Sequence, residues 1–355
     1  MIRMATLNLY HWATPGIWWY ARRDANSEGD DQSVHDASSW NGKQAWLRSL
    51  LGDMDADLVG FQEVVSVDSL RELCADEGYP HFATVDAPII EGGDVYVRPV
   101  QALASRTPFE AEAFAAPEGF AEEAGLKPDW RIRRPAVKAT LALPGVGETL
   151  VYVCHLKSKG AEPRNLRFEE RTPLQRQVRD TVAAISRGHV KATMQRTAEA
   201  SALYHEALAR VAEDPDRPII VMGDLNDDPG SPALEALAAT SSPKSIGGVD
   251  LADIDPASRA AIADHVERCR LFDAWRLCPR DPLREARRDT HIGSRGASVL
   301  DYILVSNALN PHNPDAVASV VRHQVYSAHL RGVGGDASNS DHAAVVVEIA
   351  PRQTA

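Results

Sequence analysis

Several common features are missing from this 355-residue chain, and each absence narrows what it can be. No stretch approaches the roughly 20 apolar residues that a membrane span needs. The N-terminal MIRMATLNLY carries a single arginine and enters a strand pattern at once, with neither the apolar core nor the small-residue cleavage site of a secretory signal. A cytoplasmic protein is therefore expected. Cysteine is scarce: Cys74, Cys154, Cys269 and Cys278 are scattered, and no C-x-x-C pair occurs. That argues against a zinc ribbon and a disulfide framework and leaves the four as buried or neutral thiols. Repeats of short fixed period and low-complexity linkers are absent. Positive charge does not dominate either: the formal net charge is −12, a field that disfavours sliding along duplex DNA.

What is present is the composition of a soluble globular protein, 44% hydrophobic and 25% charged. The length allows one large domain or two ordinary ones. Strand patterns recur at 4–10, 56–64, 135–143, 149–157, 218–226, 300–306 and 343–349. Apolar spacing and start signals predict helices over 44–51 and 67–76, from Thr172-Pro173 to about Ser186, and over 192–212 and 273–277. The strands at 135–143 and 149–157 follow one another without a helix, which argues against a purely parallel sheet. The mixture predicts α/β layers with mixed sheets, in one domain over 1–351 with loop insertions near 11–42, 160–172, 240–266 and 322–340. The first insertion holds Trp12, Trp18, Trp19 and Tyr20, which suit either a small satellite core or a stacking surface over a cleft. Between Lys157 and Arg196, ten Lys/Arg stand against four Asp/Glu, a local excess of +6 that leaves −18 for the remainder. That segment is either the solvated face of helices or the footprint of a phosphate-bearing ligand.

The polar residues at the strand ends are more informative. Asn8 lies near the end of the first strand, Glu63 ends LVGFQE, His155 ends LVYVCH, and Asp224 and Asn226 follow IIVMG. Asp301 instead begins DYILVS, and Asp341 and His342 stand just before AAVVVEI. If the last two strands run antiparallel to the other four, all these groups meet at one rim. Burying them singly is costly unless they pair with one another or bind a ligand. Carboxylates and amides with two imidazoles suit a hard cation, Mg2+ or Mn2+, better than Zn2+. A histidine beside a carboxylate, here His342 with Asp301 as its candidate orienter, can serve as a base or as a cation toward phosphate. Phosphoester hydrolysis uses such parts: a metal to polarise the phosphate, a base for water, and donors for developing charge.

Taken in order, TLNLY, VGFQEV, VCHLKSK, GDLND, LDYILVS and the SDH before the last strand resemble the endonuclease/exonuclease/phosphatase superfamily, whose fold is DNase I-like. The resemblance runs across 1–349 and implies a four-layered α/β sandwich, two mixed β-sheets packed face to face with helices outside. It also implies a Mg2+- or Mn2+-dependent hydrolase of phosphoester bonds, with Glu63 as principal metal ligand and Asn8 and Asp341 near the metal. Asp224 and Asn226 match the pair that positions the attacking water and the scissile phosphate. His155 and His342 match the two histidines flanking the phosphate, with Asp301 bonded to His342. Whether Asp224 or His342 takes the water's proton stays open. RIRRPAVKATL resembles the strand that brings an arginine to the phosphate, and Arg133 and Arg134 are both candidates. Tyr96 is a candidate for a position that relatives fill with a tyrosine or an acid near the phosphate. Lys157 in HLKSKG is a candidate for a phosphate contact; Lys159, alternating with it across Ser158, is placed on the same side near the site, and solvated lysines are the plainer reading of both.

The expected substrate is a phosphodiester, with DNA or RNA as the candidate polymer, because the basic 157–196 segment adjoins the site motifs. The acidic balance supports an alternative, a small-molecule or lipid-linked phosphoester. A non-catalytic module that only binds a phosphorylated ligand is a third reading. No protein partner is indicated. His189, His205 and His291 lack ligand spacing and read as surface residues, and Asp227 and Asp228 read as builders of the turn after Asn226.

Overall fold

In the computed structural model, which describes residues 1–19, 34–160, 166–279, 287–293, 296–331 and 338–352, two six-stranded sheets form the body. Their strands are β1 (Ile2–Trp12), β2 (Leu58–Val64), β3 (His81–Ala83), β4 (Val100–Ser105), β5 (Phe109–Ala113) and β6 (Val137–Leu143), followed by β7 (Gly147–His155), β8 (Ile219–Asp224), β9 (Leu271–Asp273), β10 (Asp301–Ser306), β11 (Ala318–Tyr326) and β12 (Ala344–Pro351). The longer helices are α1 (Ala37–Met54), α2 (Val67–Asp76), α3 (Leu174–Glu213), α4 (Pro232–Ala238) and α5 (Pro256–Arg268). One sheet has the order β11-β12-β1-β2-β4-β3 and the other β9-β10-β8-β7-β6-β5.

The valine run of β12 explains the layering. Val345 and Val347 join Met4, Val153, Ile220, Met222 and Ile303 in the core between the sheets. Ala344 and Val346 point the other way and pack with Leu47, Leu51, Phe61 and Leu70 under α1 and α2. Strand side chains alternate faces, so a run without polar members has to be covered twice. On the far side of the second sheet, Tyr152, Ile219, Val221 and Leu304 pack beneath Ala200, Leu203 and Ala207 of α3 and Leu237 of α4. Each fully buried Val or Leu in these layers contributes about 1.5–3 kcal/mol relative to an exposed one. The result is the four-layered sandwich that the sequence motifs imply. Both sheets are mixed: β1 is parallel to β2 and antiparallel to β12, and β8 is parallel to β7 and antiparallel to β10.

Two glycines set the closeness of the layers below the rim. A Cβ on Gly60 would stand 2.9 Å from Val153 Cγ1 and 3.2 Å from Met222 Cε, so β2 approaches the opposite sheet tightly there. Gly223 has φ +147°, and a Cβ would fall 1.9 Å from the Cys154 carbonyl oxygen. Only glycine lets β8 lie against β7 in this way, one residue before Asp224.

The elements differ from the expected pattern in several places. α1 starts at Ala37, inside the expected 11–42 insertion, because Asp36 caps it: its carboxylate accepts from Ser39 N at 2.7 Å, and Ser39 Oγ accepts from Asp36 N at 3.1 Å. The expected 240–266 insertion contains most of α5, which is capped by Asp255 but buries no residue and so lacks an apolar stripe to be read. The expected 322–340 insertion begins inside β11, a sheet edge of half-exposed residues. The helices expected over 172–186 and 192–212 are one 40-residue helix, α3, about 60 Å long at 1.5 Å per residue. Gly188 inside it costs about 1 kcal/mol relative to alanine, too little to break the run. From Leu174 to Lys191 the residues of α3 are exposed or half-buried; the first buried one is Ala192. Tyr20 and parts of the expected insertions lie outside the described residues. Among the described residues, no helix is long and apolar enough to cross a membrane.

Candidate active site

The mixed topology brings the strand-end residues to one rim. β1, β2, β7 and β8 deliver Asn8, Glu63, His155 and Asp224 from their C-terminal ends, and β10 and β12 bring Asp301 and the Asp341-His342 step from their beginnings. In register, His155 stands opposite Asp224 and Asp224 opposite Asp301. These groups border a cleft of about 700 Å³. Asn8 (1% exposed) and Asp301 (0%) lie behind its wall.

The backbone is strained where it meets the cleft. Among the described residues six non-glycines have positive φ, and four of them, Tyr10, His11, Glu63 and Asn226, line it. A left-handed non-glycine residue costs about 1–2 kcal/mol, so the surroundings must hold it. At Glu63 the pairing of β2 with β4 shifts register between Phe61 and Val64, a bulge that turns the side chain off the sheet. β1 is irregular between Asn8 and Trp12 in the same way. That second irregularity brings the His11 N–H and the His11 Nδ1 each to 3.2 Å from Glu63 Oε2.

The carboxylates are tied together by amides. Asn8 Nδ2 donates to Asp224 Oδ2 at 3.0 Å and to Glu63 Oε1 at 3.5 Å, while its Oδ1 accepts from Tyr10 N at 2.9 Å. In this orientation Asn8 braces two carboxylates, and its own oxygen is already used. Asn226 donates through its main chain to Asp224 Oδ1 at 2.8 Å and through Nδ2 to Asp224 Oδ2 and Leu156 O, both at 3.1 Å. Burial, and after it the charge of Asp301, push the Asp224 carboxyl up to about 6 against the pull of His342. Burial acts on Glu63 in the same sense, but His11, with His155 and His342, outweighs it and holds that carboxyl well below the usual range.

Two histidines face Asp224. His155 Nε2 is 3.4 Å from Asp224 Oδ2, and His342 Nε2 is 3.9 Å from the same oxygen. Burial alone would make either imidazole hard to protonate. At His342 this is reversed by Asp301, whose Oδ2 accepts from Nδ1 at 2.9 Å, and by Asp224 and Asp341; the imidazole is pushed up to about 10. At His155 burial is reinforced by Arg134, and the imidazole is held well below its ordinary value. Arg134 NH1 lies 3.0 and 3.1 Å from the two ring nitrogens of His155, a position over the ring face, and NH2 donates to Leu156 O at 2.8 Å.

Among the candidate phosphate-contacting residues, the structure separates near from far. Arg134 lines the cleft; Arg133 is exposed and is anchored by its main chain, donating to Glu199 Oε1 at 3.1 Å. Lys159 lines the cleft; Lys157 turns its ammonium to Ser158 O and Oγ at 2.9 and 3.1 Å. Tyr96 reaches the cleft wall, but its hydroxyl is hydrogen-bonded to His11 Nδ1. Trp12 belongs to the main core, whereas Trp19 packs beside the small cluster of Ala13, Val34, Val65 and Tyr96 and lines the cleft. Asp227 is paired with the buried Arg196 at 2.8 Å. The expectation that His291 is a surface residue is corrected: it lines the cleft, its ring centroid 4.6 Å from that of His342. His11 and His291 escape sequence reasoning because a bulge places one and an isolated bridge to His342 places the other. Neither leaves a spacing signal.

Glu63, Asp224 and Asp341 all put carboxylates on the cleft wall, and Asp341 Oδ1 is buried without a hydrogen-bond partner. Oxygen donors with one orphaned carboxylate oxygen fit a hard dication such as Mg2+.

The family model described as "Endonuclease/Exonuclease/phosphatase family" matches residues 25–329. No curated protein sequence matches the chain. Among solved structures, an AP endonuclease from Archaeoglobus fulgidus is 13% identical at a TM-score of 0.52, with 98% of this chain and 99% of that chain covered. Mannosyl-6-phosphatase Bt3783 from Bacteroides thetaiotaomicron is 17% identical at 0.52, with 99% and 100% covered. The human Nocturnin catalytic domain with bound sulfate is 17% identical at 0.53, with 99% and 94% covered. At such identities the likeness is one of fold.

Proposed function

Because the chain belongs to the endonuclease/exonuclease/phosphatase family, a family of phosphoester hydrolases, we propose that this cleft hydrolyses a phosphodiester with the help of Mg2+ or Mn2+, and that the natural substrate is a nucleic acid. The observation that carries the reading is one buried carboxylate, Asp224, set between a histidine favoured as a cation and a histidine favoured as neutral. Asp224 is oriented by Asn8 and Asn226 and ionises near neutrality, which suits a group that holds water and takes its proton. His342 cannot be that base while its proton is retained by Asp301; its Nε2–H is a donor for charge developing on the phosphate. Arg134 adds a guanidinium on the His155 side, where it keeps that imidazole neutral and binds a phosphate oxygen. Glu63 and Asp341 would hold the metal, with Asn8 and His11 keeping Glu63 in place; when bound, the ion supplies positive charge beside the phosphate.

The basic 157–196 segment, whose Lys159 lines the cleft, supports a polymeric substrate. The net charge of −12 supports the second reading, a small or lipid-linked phosphoester. Turnover of bis-p-nitrophenyl phosphate and p-nitrophenyl phosphate, with Mg2+ or Mn2+ and then with EDTA, separates the cases. Diester cleavage that EDTA abolishes is expected, followed by cleavage of single-stranded DNA or RNA. Cleavage of the monoester alone would replace the phosphodiesterase with a phosphatase. No turnover of any phosphoester by folded protein would leave a phosphate-binding module.

A further inference from the structure

We propose that His291, Asp341 and His342 form a second cation site, one that takes a borderline divalent metal such as Zn2+ and, when filled, blocks hydrolysis in the cleft. The block rests on the function proposed above; the site rests on geometry alone. His291 Nε2 lies 3.6 Å from Asp341 Oδ2, and His342 Nε2 lies 3.9 Å from Asp341 Oδ1. The donor atoms all lie within 4.8 Å of one another. Tetrahedral Zn2+ with bonds of about 2.0–2.2 Å places its donors about 3.4 Å apart. The two contacts reach different oxygens of Asp341, and with one donor atom from each residue already within 4.8 Å of the others, the trio has to close by about 1.4 Å or less around the ion.

The far side of each ring marks the trio off from a chance polar cluster. His342 Nδ1 donates to Asp301 Oδ2 at 2.9 Å, and His291 Nδ1 lies 3.3 Å from Ser298 Oγ. Both imidazoles thus have Nδ1 engaged and Nε2 turned to the same carboxylate. A metal-binding histidine is usually held this way, its second nitrogen fixed by a carboxylate or hydroxyl behind it. Asp341 Oδ1, the oxygen that faces His342 Nε2, is buried and accepts no hydrogen bond. Main-chain bonds lock the arrangement: Ile292 N donates to Asp341 O at 3.1 Å and Ala343 N to Thr290 O at 2.7 Å, on either side of the His291–His342 bridge.

Two nitrogens and a carboxylate are a donor set for Zn2+ and its transition-metal neighbours, while Mg2+ prefers oxygens and retained water. The cleft therefore offers two kinds of cation two kinds of wall. They share Asp341, and the nitrogen-rich wall also claims His342. An Nε2 lone pair given to a metal cannot carry the proton that hydrolysis asks of it, so occupancy and turnover exclude each other.

The test is a titration of metal-free protein with Co2+, read by the visible absorption that nitrogen-bound tetrahedral Co2+ gives, with Zn2+ as competitor. It is run on wild type, His291→Ala and His291→Asn, each checked for fold by circular dichroism. A Co2+ band that Zn2+ abolishes is expected in wild type, with affinity about tenfold or more weaker in both variants. In parallel, Zn2+ should inhibit Mg2+-supported cleavage of bis-p-nitrophenyl phosphate, and the inhibition constant should rise about tenfold or more in both variants. Their turnover in Mg2+ alone should stay within about twofold of wild type. Absence of the band in wild type, or variants that bind Co2+ and are inhibited as tightly as wild type, would overturn the site. Protein that binds Co2+ through His291 yet cleaves no phosphoester would keep the site and remove the hydrolase.

Discussion

The two walls of the cleft carry the same side chain under opposite instructions. On one, three carboxylates surround His342 and it keeps its proton to about 10; on the other, Arg134 lies over His155 and the proton is lost well below the ordinary value. Both rings are buried and both face Asp224, so burial and the shared neighbour do not account for the difference. What differs is the charge behind each ring. The lesson is that a histidine's role is set by groups far away in sequence: Asp301 precedes His342 by 41 positions, and Arg134 precedes His155 by 21.

Removing one side of the comparison altogether gives the largest effect. His342→Ala should lower kcat on a diester by about 10³–10⁴-fold, the range for losing a proton-bearing group at the reacting centre. A loss below about tenfold in steady-state assays would show that the Asp301–His342 wall is not the reactive one. Next in size is Asp301→Asn, which leaves the ring and removes the charge behind it. A loss of about 10²-fold is expected. Nitrogen-15 NMR titration of the metal-free protein reads the cause directly. A raised value means the imidazole stays protonated as pH rises through neutrality, so in Asp301→Asn its deprotonation should move down from about 10 toward the ordinary 6.5. An unchanged midpoint would reassign the lift to Asp224 and Asp341.

Arg134→Gln tests the opposite wall. Here the sign reverses: taking away a cation makes the imidazolium easier to form, so the His155 midpoint should rise, with a loss of about tenfold in turnover. A midpoint that stays put would leave burial, with the charges of His342 and Lys157, as the cause. Arg133→Ala and Lys157→Ala should change kcat/KM by about twofold or less, because neither side chain lines the cleft. A large drop in either would mean that substrate reaches beyond the cleft wall.

Much of this was legible in the chain itself, for identifiable reasons. The Val345–Val347 run has to be buried on both faces, which leaves a local pattern, and polar residues ending such strands stand out against it. His11 and His291 were not legible. The first depends on two consecutive left-handed residues, and the second on pairing between segments that are distant in sequence. Which of Arg133 and Arg134 faces inward turns on where β6 begins, at Val137, and on a loop held by Glu199. The unity of α3 was hidden by Gly188, and α5 by having no buried face to generate a period.

α3 is continuous in its hydrogen bonding but not in its thermodynamics. A helical stretch of 18 residues, Leu174 to Lys191, has no fully buried side chain, and isolated helices of that length are marginal in water. Its amides should exchange with deuterium through local fraying, while those beyond Ala192, packed on Tyr152 and Ile219, should wait for opening of the sandwich itself. Trypsin would meet Arg176, Arg179, Arg187 and Lys191 on the frayed side first. One helix therefore holds both poorly and well protected backbone, with the boundary near residue 192, a turn before Arg196 pairs with Asp227, the neighbour of the cleft-lining Asn226 and Asp228.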